Sequence, residues 1–202
     1  EKCCGMPKLE LGDLDSVDAL KQANIPVLAD LVDRGYDLIA PIPSCVLMYK
    51  QELPLMYPDD PQVQKVQQAF YDPFEYLWLR HKGGAFNTEF PNAIGSVAYQ
   101  VACHQRVQKI GLKTRDILAL VADSDIVAYE RCSGHDGTYA VKSETRAKSV
   151  KIARPTVKKV DAQAPDHLIS DCPMAGAQIA DLAESVDTAL HPMTLLRMAY
   201  GF

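Results

Sequence analysis

Six cysteines punctuate the 202-residue chain, and their neighbours and spacing are where chemistry could reside. Cys132 opens the stretch Cys132-Ser133-Gly134-His135-Asp136-Gly137, directly after Asp125-Ile126-Val127-Ala128-Tyr129, which reads as a short buried strand. A cysteine, two glycines, a histidine and an aspartate on one strand-to-helix turn can bring backbone amides and soft ligands onto something anionic or metallic. Forty residues on, Ser170-Asp171-Cys172-Pro173 closes a second strand-like run, His167-Leu168-Ile169. Twenty-nine residues before Cys132, Cys103-His104 closes a third, from Ser96 to Ala102. Cys3-Cys4-Gly5 and Cys45 complete the set.

The elements that must carry these residues come in a recurring order. After Cys3-Cys4-Gly5 the pattern predicts a helix over 15–34, capped by Asp13 or Asp15, with Leu20, Ala23, Val27 and Leu31 as its apolar stripe. Gly35 ends it, and Pro26 should kink or split it. A strand over 37–42 then leads to Pro43-Ser44-Cys45. In the second half, Cys132-Ser133-Gly134 precedes a polar helix-like run and the strand before Cys172, with nearly the same separation. This predicts an α/β fold of two related units, an internal duplication over 1–92 and 93–202. The strands should be mainly parallel, with cysteine-bearing loops at their ends, where ligands gather in open α/β sheets. Between the copies, residues 62–81 read as one helix carrying Val63, Val66, Phe70, Phe74, Leu77 and Trp78, aromatics expected to fill a core or interface. Short helices are expected over 113–121, 175–186 and 194–200, with His191-Pro192 at the turn between the last two.

Composition narrows the class. Hydrophobic content of 48% and charged content of 23% are ordinary for a globular protein, and a net charge of −5 argues against nucleic acid as the main partner. No apolar run approaches the ~20 residues a membrane helix needs, and Glu1-Lys2-Cys3-Cys4-Gly5 is no signal peptide. Adjacent Cys3 and Cys4 could pair only in a strained ring, and a chain of this size needs no staples, which favours a reducing, cytoplasmic setting over a secreted disulfide protein. His81 and His167 have no cysteine neighbour and read as structural or solvent-facing. The basic run from Lys142 to Lys159 reads as a solvated helix face.

Taken together, these residues resemble the cysteine-rich CCG-domain family, found in the B subunit of heterodisulfide reductase and the C subunit of anaerobic glycerol-3-phosphate dehydrogenase. Its pattern is a lone Cys, then Cys-Cys-Gly, then Cys-x-x-Cys, usually in two copies. Here the first copy shows Cys3-Cys4-Gly5 and Cys45-Val46-Leu47-Met48. The second shows Cys103-His104, Cys132-Ser133-Gly134 and Cys172-Pro173-Met174-Ala175. Both Cys-x-x-Cys pairs thus lack their second cysteine, and the second Cys-Cys has become Cys-Ser. The resemblance implies an iron–sulfur cluster of 4Fe–4S type, cubane or non-cubane, with zinc as the alternative in one site.

Either centre normally takes four ligands. Cys103, Cys132 and Cys172 supply three, with His104 or His135 as the fourth and Asp136 able to orient His135. Cys3, Cys4 and Cys45 supply three in the first copy, with Met48 a weaker candidate. Arg131 beside Cys132 is placed to stabilise thiolates. No nucleotide-binding fingerprint is present, so the chain reads as an electron relay rather than a complete enzyme. By the resemblance it would work in a hetero-oligomer between a flavin-dependent dehydrogenase and a quinone or disulfide acceptor, cytoplasmic and peripheral to the inner face of the membrane through its partner. The alternatives are a zinc-stabilised binding or assembly module and, using Cys3-Cys4 as a redox pair, a thiol–disulfide enzyme. A counterpart of Cys103 in the first copy would precede residue 1, so a longer natural chain with a further strand, a fourth thiolate and a ferredoxin-like domain is expected.

Overall fold

The computed structural model describes residues 2–202, which divide into two compact units. The first holds the residues up to Tyr76 together with Val107–Lys109, and the second holds Leu77–Arg106 and Ile110–Phe202.

In the first unit, α1 (Met6–Glu10) follows Gly5, and α2 (Leu14–Asp33) begins where the Asp13 carboxylate accepts the Ser16 amide at 3.2 Å. Helix α2 runs through Pro26 without a break and stops at Gly35, whose φ of 88° suits a residue with no side chain. Then come β1 (Leu38–Ile39), α3 (Pro43–Leu47), a π-helical stretch (Met48–Glu52), α4 (Leu53–Met56), α5 (Pro61–Ala69) and β2 (Phe70–Tyr71). The two strands pair in parallel, Leu38 opposite Phe70 and Ile39 opposite Tyr71. Val17, Ile25, Leu28 and Ala29 of α2 join Val46, Leu47, Leu53, Val63, Val66 and Phe70 in one core.

Two expectations are corrected here. The buried face of α2 is Val17, Lys21, Asn24, Ile25, Leu28 and Ala29, whereas Val27 is 47% exposed. The face is turned because Lys21 and Asn24 find partners inside. Lys21 pairs with Asp60, its ammonium 4.6 Å from the centre of the Tyr57 ring. The single helix expected over 62–81 is instead α5, β2 and α6 (Pro73–Lys82). Pro73 disfavours helical backbone at Asp72, and the Asp72 carboxylate caps the new helix by accepting from the Phe74 and Glu75 amides at 2.9 and 3.3 Å.

The second unit is built on β3 (Gly95–Gln100), β4 (Ser124–Tyr129), β5 (His167–Ser170) and β6 (Ala189–Leu190). They form one sheet in the order β4-β3-β5-β6, with every pairing parallel. Between them run α7 (Cys103–Arg106), α8 (Lys113–Leu118), α9 (Ser143–Gln163) and α10 (Pro173–Ala180), and α11 (Pro192–Ala199) follows β6. Ala98, Leu168 and Ile179 pack with Ala153, Val157 and Val160 of α9 in a buried cluster. Val97, Ala98 and Tyr99 are fully buried, as expected of a central parallel strand covered on both faces. The α/β class and parallel strands expected from the residue pattern are those observed. Strand β6 was not foreseen, since two residues carry no periodicity.

Candidate functional site

Strand order places the second triplet. The connection leaving β3 leads to β4 at one edge, and the connection leaving β5 leads to β6 at the other. Adjacent β3 and β5 therefore frame the point where the winding reverses, and open α/β sheets bind ligands beyond the strand ends at such a point. Cys103 starts α7 just after β3, Cys172 follows β5 and caps α10, and Cys132 follows β4. Three neighbouring strands thus deliver one cysteine each, with Cys103 from the middle strand.

The Cys132 turn is pressed against α9. Gly134 has φ of 77°, and a side chain on it would lie 2.3 Å from the Ser149 carbonyl oxygen. Ser149 Oγ donates to the Gly134 carbonyl at 2.8 Å, and Thr156 Oγ1 donates to the Cys132 carbonyl at 2.7 Å. Ser133 is buried where the family pattern has a second cysteine, and its hydroxyl accepts the His135 amide at 3.3 Å. The turn's Gly134 amide points at Cys132 Sγ, 3.4 Å away.

Charges converge on Cys103. Partial enclosure pushes its thiol above the usual range, and Cys132, Asp136 and Cys172 add to the effect while Arg106 opposes it. Arg106, held by Glu130 at 3.4 Å, is the cation that acts on Cys103. Beneath the triplet, Tyr99 Oη lies 2.6 Å from both Gln105 Oε1 and Asp171 Oδ2. Thr114 Oγ1 joins Gln105 Nε2 at 3.2 Å to Asp171 Oδ1 at 2.9 Å, which closes a ring of four buried side chains. Burial pushes the Asp171 carboxyl up to about 6 despite the donors facing it.

The first triplet is held differently. Asn24 of α2 accepts the Lys2 amide at 2.8 Å and donates to the carbonyls of Lys2 and Cys3 at 3.2 and 3.0 Å and to the Tyr49 hydroxyl at 3.2 Å. Cys4 and Cys45 share a hydrogen bond. It raises Cys4, whose thiol is the donor, and lowers Cys45, whose thiolate accepts, to about 7 against burial and the nearby Cys3. Met48, in the second-cysteine position of the motif, is fully buried in this unit's core, with its methyl 3.4 Å from where a Gly5 side chain would begin. Ala175, in the matching position of the second unit, is buried too.

All six cysteines are free thiols, with Cys3, Cys103 and Cys132 exposed and Cys4, Cys45 and Cys172 half-buried. His104 and His135, beside the second triplet in sequence, are half-buried. Among the described residues no three His, Cys, Asp or Glu side chains converge closely enough to hold a single metal ion. The donor chemistry nonetheless suits a metal centre, since thiolates are the ligands that iron–sulfur clusters and zinc prefer. Of the other histidines, His81 packs its ring 5.4 Å from Trp78 and 6.2 Å from Phe86, and His191 Nδ1 accepts the Met193 amide at the start of α11. His167 lies on β5. Sequence reasoning missed Asn24, Tyr99, Gln100, Gln105, Thr114 and Asp171 as site-building residues. Asp171, a carboxylate beside a cysteine after an apolar strand, was the one local signal.

An open parallel sheet with a cysteine at each of three adjacent strand ends defines the class: an α/β domain presenting thiols from one edge. Residues 97–180 match the model of the cysteine-rich CCG domain family, to which this part of the chain is similar. The chain is also 25% identical over 205 residues to the C subunit of anaerobic glycerol-3-phosphate dehydrogenase from Escherichia coli K12, and equally to that of strain O157:H7. The matches cover 98% of this chain and 50% of each relative, so the chain spans half the length of the curated relatives it matches. Among the described residues no helix is long and apolar enough to cross a membrane.

Proposed function

We propose that the chain is an electron-transfer component of a dehydrogenase, with an iron–sulfur cluster held by Cys103, Cys132 and Cys172 of the second unit. The observation that supports it is the delivery of these three cysteines by three adjacent parallel strands at the point where the sheet's winding reverses. Neighbouring strands lie about 4.8 Å apart, so the ends of the outer two strands, from which Cys132 and Cys172 are delivered, stand about 10 Å from each other. A single zinc ion with bonds of about 2.3 Å needs a tighter set, whereas a cluster of several irons spans more. That spacing favours the cluster over a zinc-stabilised assembly module. His104 or His135 would complete the ligand set, and Cys3, Cys4 and Cys45 would contribute a second site of the same kind. When bound, such a cluster supplies one-electron transfer. The chain's own residues fix its place at the sheet edge. Arg106 offsets negative charge there, and the buried side chains beneath keep water from the inner side.

The similarity to a component of glycerol-3-phosphate dehydrogenase supports a hetero-oligomer in which a flavin-dependent partner donates electrons and a quinone or disulfide accepts them. In that arrangement the chain would sit on the cytoplasmic side, meeting the membrane only through its partner. The test is anaerobic purification followed by iron, sulfide and zinc analysis and electron paramagnetic resonance of the wild-type chain and Cys132→Ala. We expect a brown protein absorbing near 400 nm, as clusters do, whose second-unit iron and signal are lost in the variant. A colourless, zinc-bearing protein, or a variant with unchanged iron, would overturn the reading.

A further inference from the structure

Two consecutive residues at the end of β3 reach toward all three cysteine turns of the second unit. Successive strand residues point to opposite faces, and Tyr99 and Gln100 use both. Tyr99 meets Gln105, two residues past Cys103, and Asp171, next to Cys172, each at 2.6 Å. Gln100 Nε2 donates to the carbonyl of Arg131, next to Cys132, at 3.1 Å and to that of Val101 at 2.8 Å. Its Oε1 accepts the Ser170 hydroxyl at 2.8 Å, and Ser170 Oγ in turn accepts the Cys172 amide at 3.2 Å. Tyr99, Gln100, Gln105, Thr114, Ser170 and Asp171 are each 2% exposed or less.

So many polar side chains in a strand-end core need a reason, because each costs free energy unless its partners are in place. Apolar residues of similar volume would fill the same space. What the polar set adds is direction, since each bond ends within two residues of a cysteine. We infer that Tyr99, Gln100 and Asp171 are positioning residues that set the mutual spacing of Cys103, Cys132 and Cys172 before any metal binds. The inference rests on the proposed role of those cysteines as ligands, and goes beyond it by assigning the residues that arrange them. Outer partners of this kind typically change metal affinity about 10- to 100-fold when removed.

The test uses the full chain with Gln100→Met and Tyr99→Phe, which keep shape and remove hydrogen bonds. Asp161→Ala serves as a control. It strips the acceptor of the Glu184 and Ser185 amides and the Ser185 hydroxyl, and so destabilises the same unit elsewhere. Two readouts are taken per folded chain, all in a background carrying Cys3→Ser, Cys4→Ser and Cys45→Ser so that only the second triplet reports: iron retained after anaerobic loading with ferrous iron and sulfide, and fluorescent cross-linking of thiols in the metal-free chain by dibromobimane. Both Gln100→Met and Tyr99→Phe should lower retained iron about 10-fold and reduce cross-linking, while Asp161→Ala keeps wild-type values at a lowered melting temperature. Should Gln100→Met fail to fold, Tyr99→Phe decides alone. The inference is overturned if the chain with only Cys103, Cys132 and Cys172 left does not cross-link, or if both readouts simply follow melting temperature across the three variants. Iron unchanged in Cys132→Ala would overturn the ligand assignment instead, and cross-linking of the metal-free chain would still decide the positioning role.

Discussion

The turns Cys3-Cys4-Gly5 and Cys132-Ser133-Gly134 solve one problem in two ways. Both glycines adopt positive φ, 99° at Gly5 and 77° at Gly134. Around Gly5 there is room, the nearest atom to a new side chain being the flexible Met48 methyl at 3.4 Å. Around Gly134 there is none, because the α9 backbone stands 2.3 Å away. The backbone of the first turn is clamped by one side chain, Asn24, and that of the second by several, from α9 and from the end of β3. The middle position differs as well. Cys4 keeps a thiol that bonds Cys45, whereas Ser133 turns inward and braces the His135 amide. A turn pinned from several directions tolerates little change, and a turn pinned from one depends wholly on that contact.

The comparison makes ordered predictions. The largest effect belongs to Gly134→Ala, which combines positive φ with a backbone clash and should cost on the order of 4 kcal/mol, whereas Gly5→Ala should cost about 1 kcal/mol. Urea unfolding of both variants checks this, and equal losses would break the contrast. Next comes Asn24→Ala. It leaves the Lys2 amide and the Lys2 and Cys3 carbonyls short of a partner and should cost about 3 kcal/mol. Faster proteolysis near Lys2 should accompany that loss. Thr156→Val removes one of several braces on the second turn and should cost only about 1 kcal/mol. A loss as large as that of Asn24→Ala would mean that the braces are not shared.

An effect of the same size as that of Thr156→Val concerns Asp60, which pairs with Lys21 and caps α5 by accepting the Gln62 and Val63 amides at 3.0 and 3.3 Å. The Lys21 ammonium, foremost, holds its carboxyl below the ordinary 3.8, against a smaller opposing effect of burial. A depressed folded-state value means that this contribution is complete above the unfolded value and is lost as pH falls through the lower, folded one. Replacing Asp60 by Ala should therefore cost about 1 kcal/mol at pH 7, with the difference from wild type shrinking in acid below about 3.8. A difference that stays constant down to pH 2 would sharpen the assignment toward packing rather than charge.

Much was legible in the residues themselves. Alternating apolar runs followed by Cys, Gly, Ser or Pro located β3, β4 and β5 and put a cysteine at the end of each, because strand and turn preferences are local. The Asp13 cap, the Gly35 stop and the buried strand before Cys172 were readable for the same reason. Local reading failed where the deciding partner is distant in sequence. Lys21 and Asn24 looked like the outer face of α2, and they face inward because Asp60 and the Lys2–Cys3 backbone meet them there. The helix expected across 62–81 breaks at Phe70-Tyr71 because β1 is there to pair with.

By itself, then, the amino-acid sequence determined the α/β class and the six cysteines with the strand ends and turns that carry them. These follow from backbone preference and hydrophobic period over stretches of about ten residues. Only the tertiary structure decided that β3 lies between β4 and β5, so that Cys103 comes from the middle of its triplet. Only it decided that Tyr99 and Asp171, 72 positions apart, bond to each other beneath that triplet. Strand order and buried hydrogen bonds depend on which segments exclude water together. That is a property of the packed chain, which no single stretch of it carries.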